Sequence, residues 1–301
     1  MAVYNNIVET IGETPIVRLN KLPAKGARVY VKTERVNPGG SIKDRAVLSM
    51  IDDAEARGLL KKGGTIVEPT SGNTGIAIAM ISAVRGYRAI IVMPDTMSLE
   101  RRQAIRAYGA EIVLTPGSEG MGGAVRKAEE ISKETGGWIC GQFDNPMNAV
   151  AHRVGTGKEI LRDLPDVDYV FSGFGTAGTA CGLAMAFKDS GSKAKVIGVE
   201  PEESPLVTSG KAGPHKIQGI GANFVPKIFD RSLLSDVVTV KGEDAIRTTV
   251  EMAREEGIFC GISSGAAVFA ALRKAKEEPD KVILAILPDG GEKYMSTRIF
   301  D

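Results

Sequence analysis

The sequence predicts an open α/β fold in two compact domains, and three observations carry that expectation. Short β-branched runs alternate with longer stretches of helical period. The runs are continuously apolar, as in parallel strands covered on both faces, and do not alternate as half-exposed strands would. At 301 residues the chain exceeds the roughly 100–200 residues of a usual single domain.

In chain order the strands are expected at 28–34, 65–68, 88–93, 111–114, 169–172, 195–200, 237–240 and 281–287, with helices between most of them. A long helical stretch at 148–164 precedes the second strand group. Such sheets bind ligands beyond the carboxyl ends of strands, where a glycine-rich turn leads into a helix. Four segments read that way: 37–43, 68–75, 172–179 and 259–265.

Composition removes several function classes. Lys and Arg total 38 against 37 Asp and Glu, a formal net charge of +1, and no basic block exists to bind nucleic acid or an anionic membrane. Cys140, Cys181 and Cys260 are too far apart for a zinc site and odd in number for a disulfide framework, which points to a reducing compartment. The start, Met1-Ala2-Val3-Tyr4-Asn5-Asn6, has no basic region, and the apolar helix expected at 76–84 is too short to span a bilayer. A cytoplasmic protein without a metal is the expectation. With only His152 and His215, neither a Ser-His-Asp triad nor a His-rich site is favoured.

Four motifs carry chemistry. Ser172-Gly173-Phe174-Gly175-Thr176-Ala177-Gly178-Thr179 follows a strand and opens a helix, so its N–H groups and the helix dipole suit a phosphate. The same glycines match the dinucleotide pattern, with Glu200 about 20 residues on. Thr176 and Thr179 argue instead for a terminal phosphate with more free oxygens. Glu68-Pro69-Thr70-Ser71-Gly72-Asn73-Thr74-Gly75 offers four hydrogen-bonding side chains where one N-cap would suffice, so it reads either as capping or as a carboxylate site. Asn37-Pro38-Gly39-Gly40-Ser41-Ile42-Lys43 sets a lysine in the first turn of a helix, where the dipole lowers its pKa; a solvated lysine is the plain alternative. In Gly261-Ile262-Ser263-Ser264-Gly265, Ser264 is a candidate cap, and Pro288-Asp289-Gly290-Gly291 reads as a turn.

Taken together, these segments resemble the fold-type II pyridoxal-phosphate enzymes, and among them the cysteine synthase and cystathionine β-synthase group. Ile11-Gly12-Glu13-Thr14-Pro15 and the segments 93–102, 214–222 and 291–297 extend the resemblance over nearly the whole chain. It implies two open, mostly parallel twisted-sheet domains of the tryptophan synthase β type, with the active site between them. A large cofactor-binding domain of residues 1–38 and 146–301 would face a small mobile substrate domain of residues 39–145.

By the same resemblance Lys43 carries the Schiff base to pyridoxal 5'-phosphate and is the catalytic base. Gly175, Thr176, Ala177, Gly178 and Thr179 hold the phosphate, Asn73 meets the ring hydroxyl, and Ser263 faces the pyridine nitrogen. Thr70, Ser71, Asn73, Thr74 and Gln142 form the substrate-carboxylate site, and Gly219 and Ala222 line its entry. The chain departs from the family's usual glycine at Ala177 and Asn223. The implied enzyme is a homodimer that makes L-cysteine from O-acetyl-L-serine and sulfide through an aminoacrylate. Cystathionine formation and a cysteine lyase or lanthionine-forming reaction are its relatives in chemistry. An NAD-dependent oxidoreductase using 173–178 and Glu200, or a non-catalytic binding protein, leaves Lys43 and the 70–74 turn unexplained.

Overall fold

Two separate sheets organise the protein in a computed structural model that describes residues 3–301. Met1 and Ala2, which begin the expected large domain and the expected leaderless start, lie outside the described residues. The strands are β1 (Ile16–Arg18), β2 (Arg28–Thr33), β3 (Thr65–Pro69), β4 (Arg88–Pro94), β5 (Glu111–Thr115), β6 (Trp138–Ile139), β7 (Tyr169–Gly173), β8 (Lys195–Pro201), β9 (Asp236–Val240) and β10 (Val282–Leu287). The helices are α1 (Lys43–Ala56), α2 (Asn73–Arg85), α3 (Leu99–Ala107), α4 (Gly120–Thr135), α5 (Met147–Ala151), α6 (Gly157–Asp163), α7 (Gly178–Asp189), α8 (Leu206–Ser209), α9 (Gly242–Glu256) and α10 (Ile262–Glu277).

One sheet has the order β1-β2-β10-β7-β8-β9 and the other β5-β4-β3-β6. Every pairing is parallel except β1 with β2. The eight expected strands are all present, with ends within one residue of expectation. The sequence pattern misses β1 and β6 because three and two residues are too short to make an apolar run.

Alternate residues of the eight expected strands feed two different cores, which is why they read as continuous apolar runs. In β10, Ile283, Ala285 and Leu287 pack against α9 and α10, while Val282, Leu284 and Ile286 pack against α7. In the smaller sheet Ile66, Ile91 and Met93 meet α1 and α2, and Val67, Ile90 and Val92 meet α4. Helices end where a left-handed residue is available: Gly86 (φ 75°) closes α2 and Gly257 (φ 70°) closes α9.

Two expectations need correction. The stretch expected as one helix at 148–164 is α5 and α6 joined by a π turn, His152–Thr156. Gly157 and Gly182 have no room for a Cβ at this junction, where the segment meets α7. The glycine turn at 259–265 leaves the helix α9, not a strand; Cys260 makes only an isolated bridge to Gly290.

A buried cluster of four charges fixes α1 against the larger sheet. Arg45 in α1 donates through Nε to Glu34 (2.7 Å), and through Nη1 and Nη2 to Glu159 (2.6 and 2.7 Å). Lys32 reaches the same Glu159 carboxylate at 2.7 Å, and Thr14 donates to Glu34 at 2.6 Å. Burial by itself would raise the Glu159 carboxyl, yet the hydrogen bonds and charges of Arg45 and Lys32 hold it down at about 2.

Glu159→Gln strands a buried cation and should lower stability by about 3–5 kcal/mol in chemical denaturation. Because this carboxyl titrates near 2 when folded and near its ordinary 4.5 when unfolded, its contribution is complete above about 4.5 and lost as the pH falls toward 2. Melting temperature should therefore decline over that window more steeply in the native protein than in the variant.

Candidate active site

In each sheet the chain reverses its direction of travel once. From β3 it steps outward to β4 and β5, then returns to place β6 on the other side of β3; from β7 it steps to β8 and β9, then returns with β10 on the other side of β7. Loops leaving the carboxyl ends of strands at such a reversal diverge and open a crevice. The loops after β3, β6, β7 and β10 all line one cleft of about 810 Å³. The two reversal points therefore face each other across the same space.

Lys43, Thr70, Ser71, Asn73, Thr74, Gln142, Gly175, Thr176, Ala177, Thr179, Gly219, Ala222 and Ser263 line this cleft. Gly178 does not; it is buried, and its N–H is taken by the Thr176 hydroxyl oxygen at 3.4 Å.

Lys43 is the first residue of α1, with no side-chain cap before it. Burial pushes its ammonium pKa down, and Asp289 opposes this only in part. Burial, and not the helix dipole expected from sequence, is the cause of this lowering. The preceding loop is held from below: Asp44 accepts from Gly39 N–H (2.6 Å), and Lys293 donates to the Gly40 carbonyl (2.8 Å). Burial raises the Asp44 carboxyl to about 7 despite those contacts.

The loop after β7 presents backbone N–H groups ahead of α7, whose start has no side-chain cap. A Cβ on Gly175 would lie 2.6 Å from the Gly219 carbonyl, so only glycine lets the loop pass there. Ala177 sits at φ 67°, in the left-handed region where glycine is at ease.

The turn after β3 is not a capping device. Helix α2 has no side-chain cap: Thr74 donates to Gln142 Oε1 (2.6 Å), Asn73 Nδ2 donates to Asp289 (2.8 Å), and Thr70 accepts from Gly72 N–H (3.3 Å). Opposite this turn, Glu68 accepts from the N–H groups of Gly141 (2.9 Å) and Gln142 (3.4 Å), while burial raises its carboxyl to about 7.

Pattern reading missed Glu68, Arg101, Asp289 and Tyr294, all of which line the cleft. Asp289 accepts from both Asn73 and the Tyr294 hydroxyl (2.8 Å each), and the Arg101 guanidinium lies 5.4 Å from the Tyr294 ring centre. The signal available was position: Asp289 follows the strand at the reversal point of the larger sheet. Two other readings fail. Ser264 caps nothing, since Gly261 is the cap position of α10 and the Ser264 hydroxyl is buried without a partner. Glu200 cannot serve a ribose, because its carboxylate already accepts from Val207 N–H, Thr208 N–H and the Thr208 hydroxyl at 2.6–3.0 Å.

Among the described residues no group of three or more His, Cys, Asp or Glu is placed to hold a metal ion, and no helix is long and apolar enough to cross a membrane. Cys140, Cys181 and Cys260 are free and buried, and burial pushes the Cys260 thiol up to about 12, so no cysteine here is poised as a nucleophile.

Residues 7–289 match the family model described as pyridoxal-phosphate dependent enzyme. The chain is 46% identical over 300 residues to cysteine synthase of Staphylococcus aureus (strain Mu50 / ATCC 700699), covering 98% of this chain and 97% of that one. It is 48% identical over 304 residues to O-ureido-L-serine synthase of Streptomyces lavendulae, covering 100% and 94%. The crystal structure of O-ureido-L-serine synthase superimposes with a TM-score of 0.97 over 100% of this chain and 96% of that one. The structure of cysteine synthase from Entamoeba histolytica gives 0.95 at 42% identity, over 99% and 91%.

The left-handed Ala177 yields a stability contrast. Ala177→Gly should be nearly neutral, within about 0.5 kcal/mol, because relief of the backbone offsets the loss of a buried methyl. Ala180→Gly, equally buried but inside α7, should cost about 1–2 kcal/mol. Urea denaturation of the two variants measures the difference.

Proposed function

Because the chain belongs to the pyridoxal-phosphate dependent enzyme family, we propose that it is a β-replacement enzyme converting O-acetyl-L-serine and sulfide to L-cysteine and acetate. One observation carries the reading. The burial-depressed amine of Lys43 opens onto a cleft with an N–H-rich helix start on one wall and a hydroxyl- and amide-lined helix start on the other.

The residues fit the cofactor. The uncapped start of α7 suits a phosphate dianion. Glycine at 175 admits a group close to the backbone. Asn73 Oδ1 and Asp289 Oδ1 are buried polar atoms without partners, as expected beside a polar ring. Gly175, Thr176, Ala177 and Thr179 would hold the phosphate, with Gly178 buried behind them, Asn73 the ring hydroxyl, Ser263 the ring nitrogen, and Lys43 the carbonyl carbon.

When bound, pyridoxal phosphate withdraws electrons from the α-carbon of the amino acid attached to it and so acidifies the α-proton. Lys43 Nζ, displaced by the incoming amine and with its pKa lowered by burial, takes that proton and later returns it to the same carbon. Thr70, Ser71, Asn73 and Gln142 orient the substrate carboxylate through charge-assisted hydrogen bonds, and Thr74, which gives its hydroxyl proton to Gln142 Oε1, holds Gln142 in the same site. The neutral Ser263 leaves the ring a modest electron sink, which suits elimination followed by addition. Acetate leaves past Gly219 and Ala222, and sulfide enters by the same mouth. Residues 39–145 would close on the rest of the chain as substrate binds, excluding water from the proton transfer. The chain acts as a homodimer in the cytoplasm; exposed Val3, Tyr4, Ile7 and Val17 near the N-terminus support an interface, and the free buried cysteines suit a reducing compartment.

Product analysis tests the reaction: O-acetylserine, serine and cysteine are each supplied with and without sulfide, and L-cysteine formation from O-acetylserine and sulfide should be fastest. Faster sulfide release from cysteine, or faster consumption of serine, would replace the proposed reaction with a lyase or a cystathionine-type one. Lys43→Ala should bind the cofactor noncovalently yet lose α-proton exchange in deuterated water by about three orders of magnitude. Gln142→Ala should raise the Michaelis constant for O-acetylserine about tenfold with melting temperature unchanged. Light scattering coupled to size exclusion reads the oligomeric state.

A further inference from the structure

Asn148, the second residue of α5, is buried and belongs to neither helix start that faces the cleft. Its side-chain Nδ2 donates to the Gln142 carbonyl at 2.8 Å and to the Thr176 hydroxyl oxygen at 3.1 Å. A carbonyl can only accept, so the amide nitrogen must face Gln142, and its two hydrogens serve these two partners. Gln142 comes from the strap after β6 in the smaller sheet, and Thr176 from the turn after β7 in the larger one. One side chain thus joins the walls of the cleft at the point where the chain crosses between them.

The bond also fixes the sense of the Thr176 hydroxyl. Its oxygen accepts from Asn148 and, at 3.4 Å, from Gly178 N–H. Two lone pairs are then occupied, and the proton can only be donated, from a residue that lines the cleft. On the other arm, Gln142 Oε1 accepts from Thr74 (2.6 Å), and Gln142 N–H meets Glu68 (3.4 Å), with its side-chain amide also bonded to that carboxylate.

We infer that Asn148 is a positioning residue that couples the two anion sites: it turns the Thr176 hydroxyl toward the cofactor phosphate and, through the Gln142 carbonyl, holds the strap that receives the substrate carboxylate. This rests on the site assignment proposed above. It assigns Asn148 no contact with cofactor, substrate or reacting atoms, and it predicts that cofactor affinity and amino-acid affinity respond together to one side chain.

The test is a double-mutant cycle on the holoenzyme. The cofactor dissociation constant is read by absorbance after equilibrium dialysis, and the Michaelis constant for O-acetyl-L-serine is measured separately from the turnover number. Asn148→Ala should raise both constants about tenfold with a smaller change in turnover number. Thr176→Val should raise the cofactor constant, and Thr176→Ser, which keeps the hydroxyl, should restore it. Asn148→Ala combined with Thr176→Val should bind cofactor no worse than the poorer single variant. If the two effects on cofactor binding multiply, or if Asn148→Ala lowers only the melting temperature, the inference is wrong while the site assignment stands. An unchanged cofactor constant in Thr176→Val removes the site assignment and the inference together. Should Asn148→Ala not fold, Asn148→Ser has one donor for two acceptors and must still raise at least one constant; no change in either overturns the coupling.

Discussion

The arrangement depends on keeping one amine out of water while keeping its helix in place. Lys43 begins α1, and two residues later Arg45 enters a buried set of four charges with Glu34, Glu159 and Lys32. Isolated buried charges would cost several kcal/mol each. Here two cations and two carboxylates neutralise each other, and the fork of Arg45 meets both carboxylates with matched geometry. The cluster draws its members from the strand β2 and its end, from α1 and from α6. The start of α1 is thereby registered against the larger sheet although the rest of that helix packs on the smaller one. The depressed pKa of Lys43 follows from the burial this fixes.

The second constraint is topological. Each sheet has one place where strand order reverses, and the loops there are free to diverge. Most segments that line the cleft with polar groups leave one of those two places; the exceptions are the 37–43 turn, Arg101 in α3, Glu129 in α4, the 219–224 turn and the start of α10. Buried carboxylates then serve as scaffolding. Glu68 holds the strap after β6, Asp44 holds the loop before Lys43, and Asp289 joins Asn73 to Tyr294. Burial raises two of them, Glu68 and Asp44, to about 7, so near neutral pH they carry less negative charge than exposed carboxylates would.

Much of this was legible before the fold was known. Eight strands, the parallel arrangement and the covered faces follow from apolar runs with a length and spacing that only a two-faced sheet needs. Lys43 and the glycine turn at 173–179 announce themselves because their residue types are poor choices for structure alone. Ala177 stood out by resemblance as an alanine where glycine is expected, and its φ of 67° is the left-handed conformation that glycine adopts most easily. Short-range pattern failed where the signal is shorter than a period, as in β1 and β6. It also failed where one residue type has two explanations, as with Ser264 and Glu200.

The sequence by itself determined the element types, the family and the residues whose local chemistry is conspicuous, because these depend on neighbours within a few positions. Tertiary structure decided which of them act together. Asn73 and Asp289 are 216 residues apart, Arg45 and Glu159 are 114 apart, and Asn148 and Thr176 are 28 apart. No periodicity encodes such pairs, since each is set by the order in which strands enter two sheets and by the reversal of that order. The same is true of the proton on Lys43: its position at a helix start is local, but the burial that lowers its pKa exists only once both sheets have closed around it.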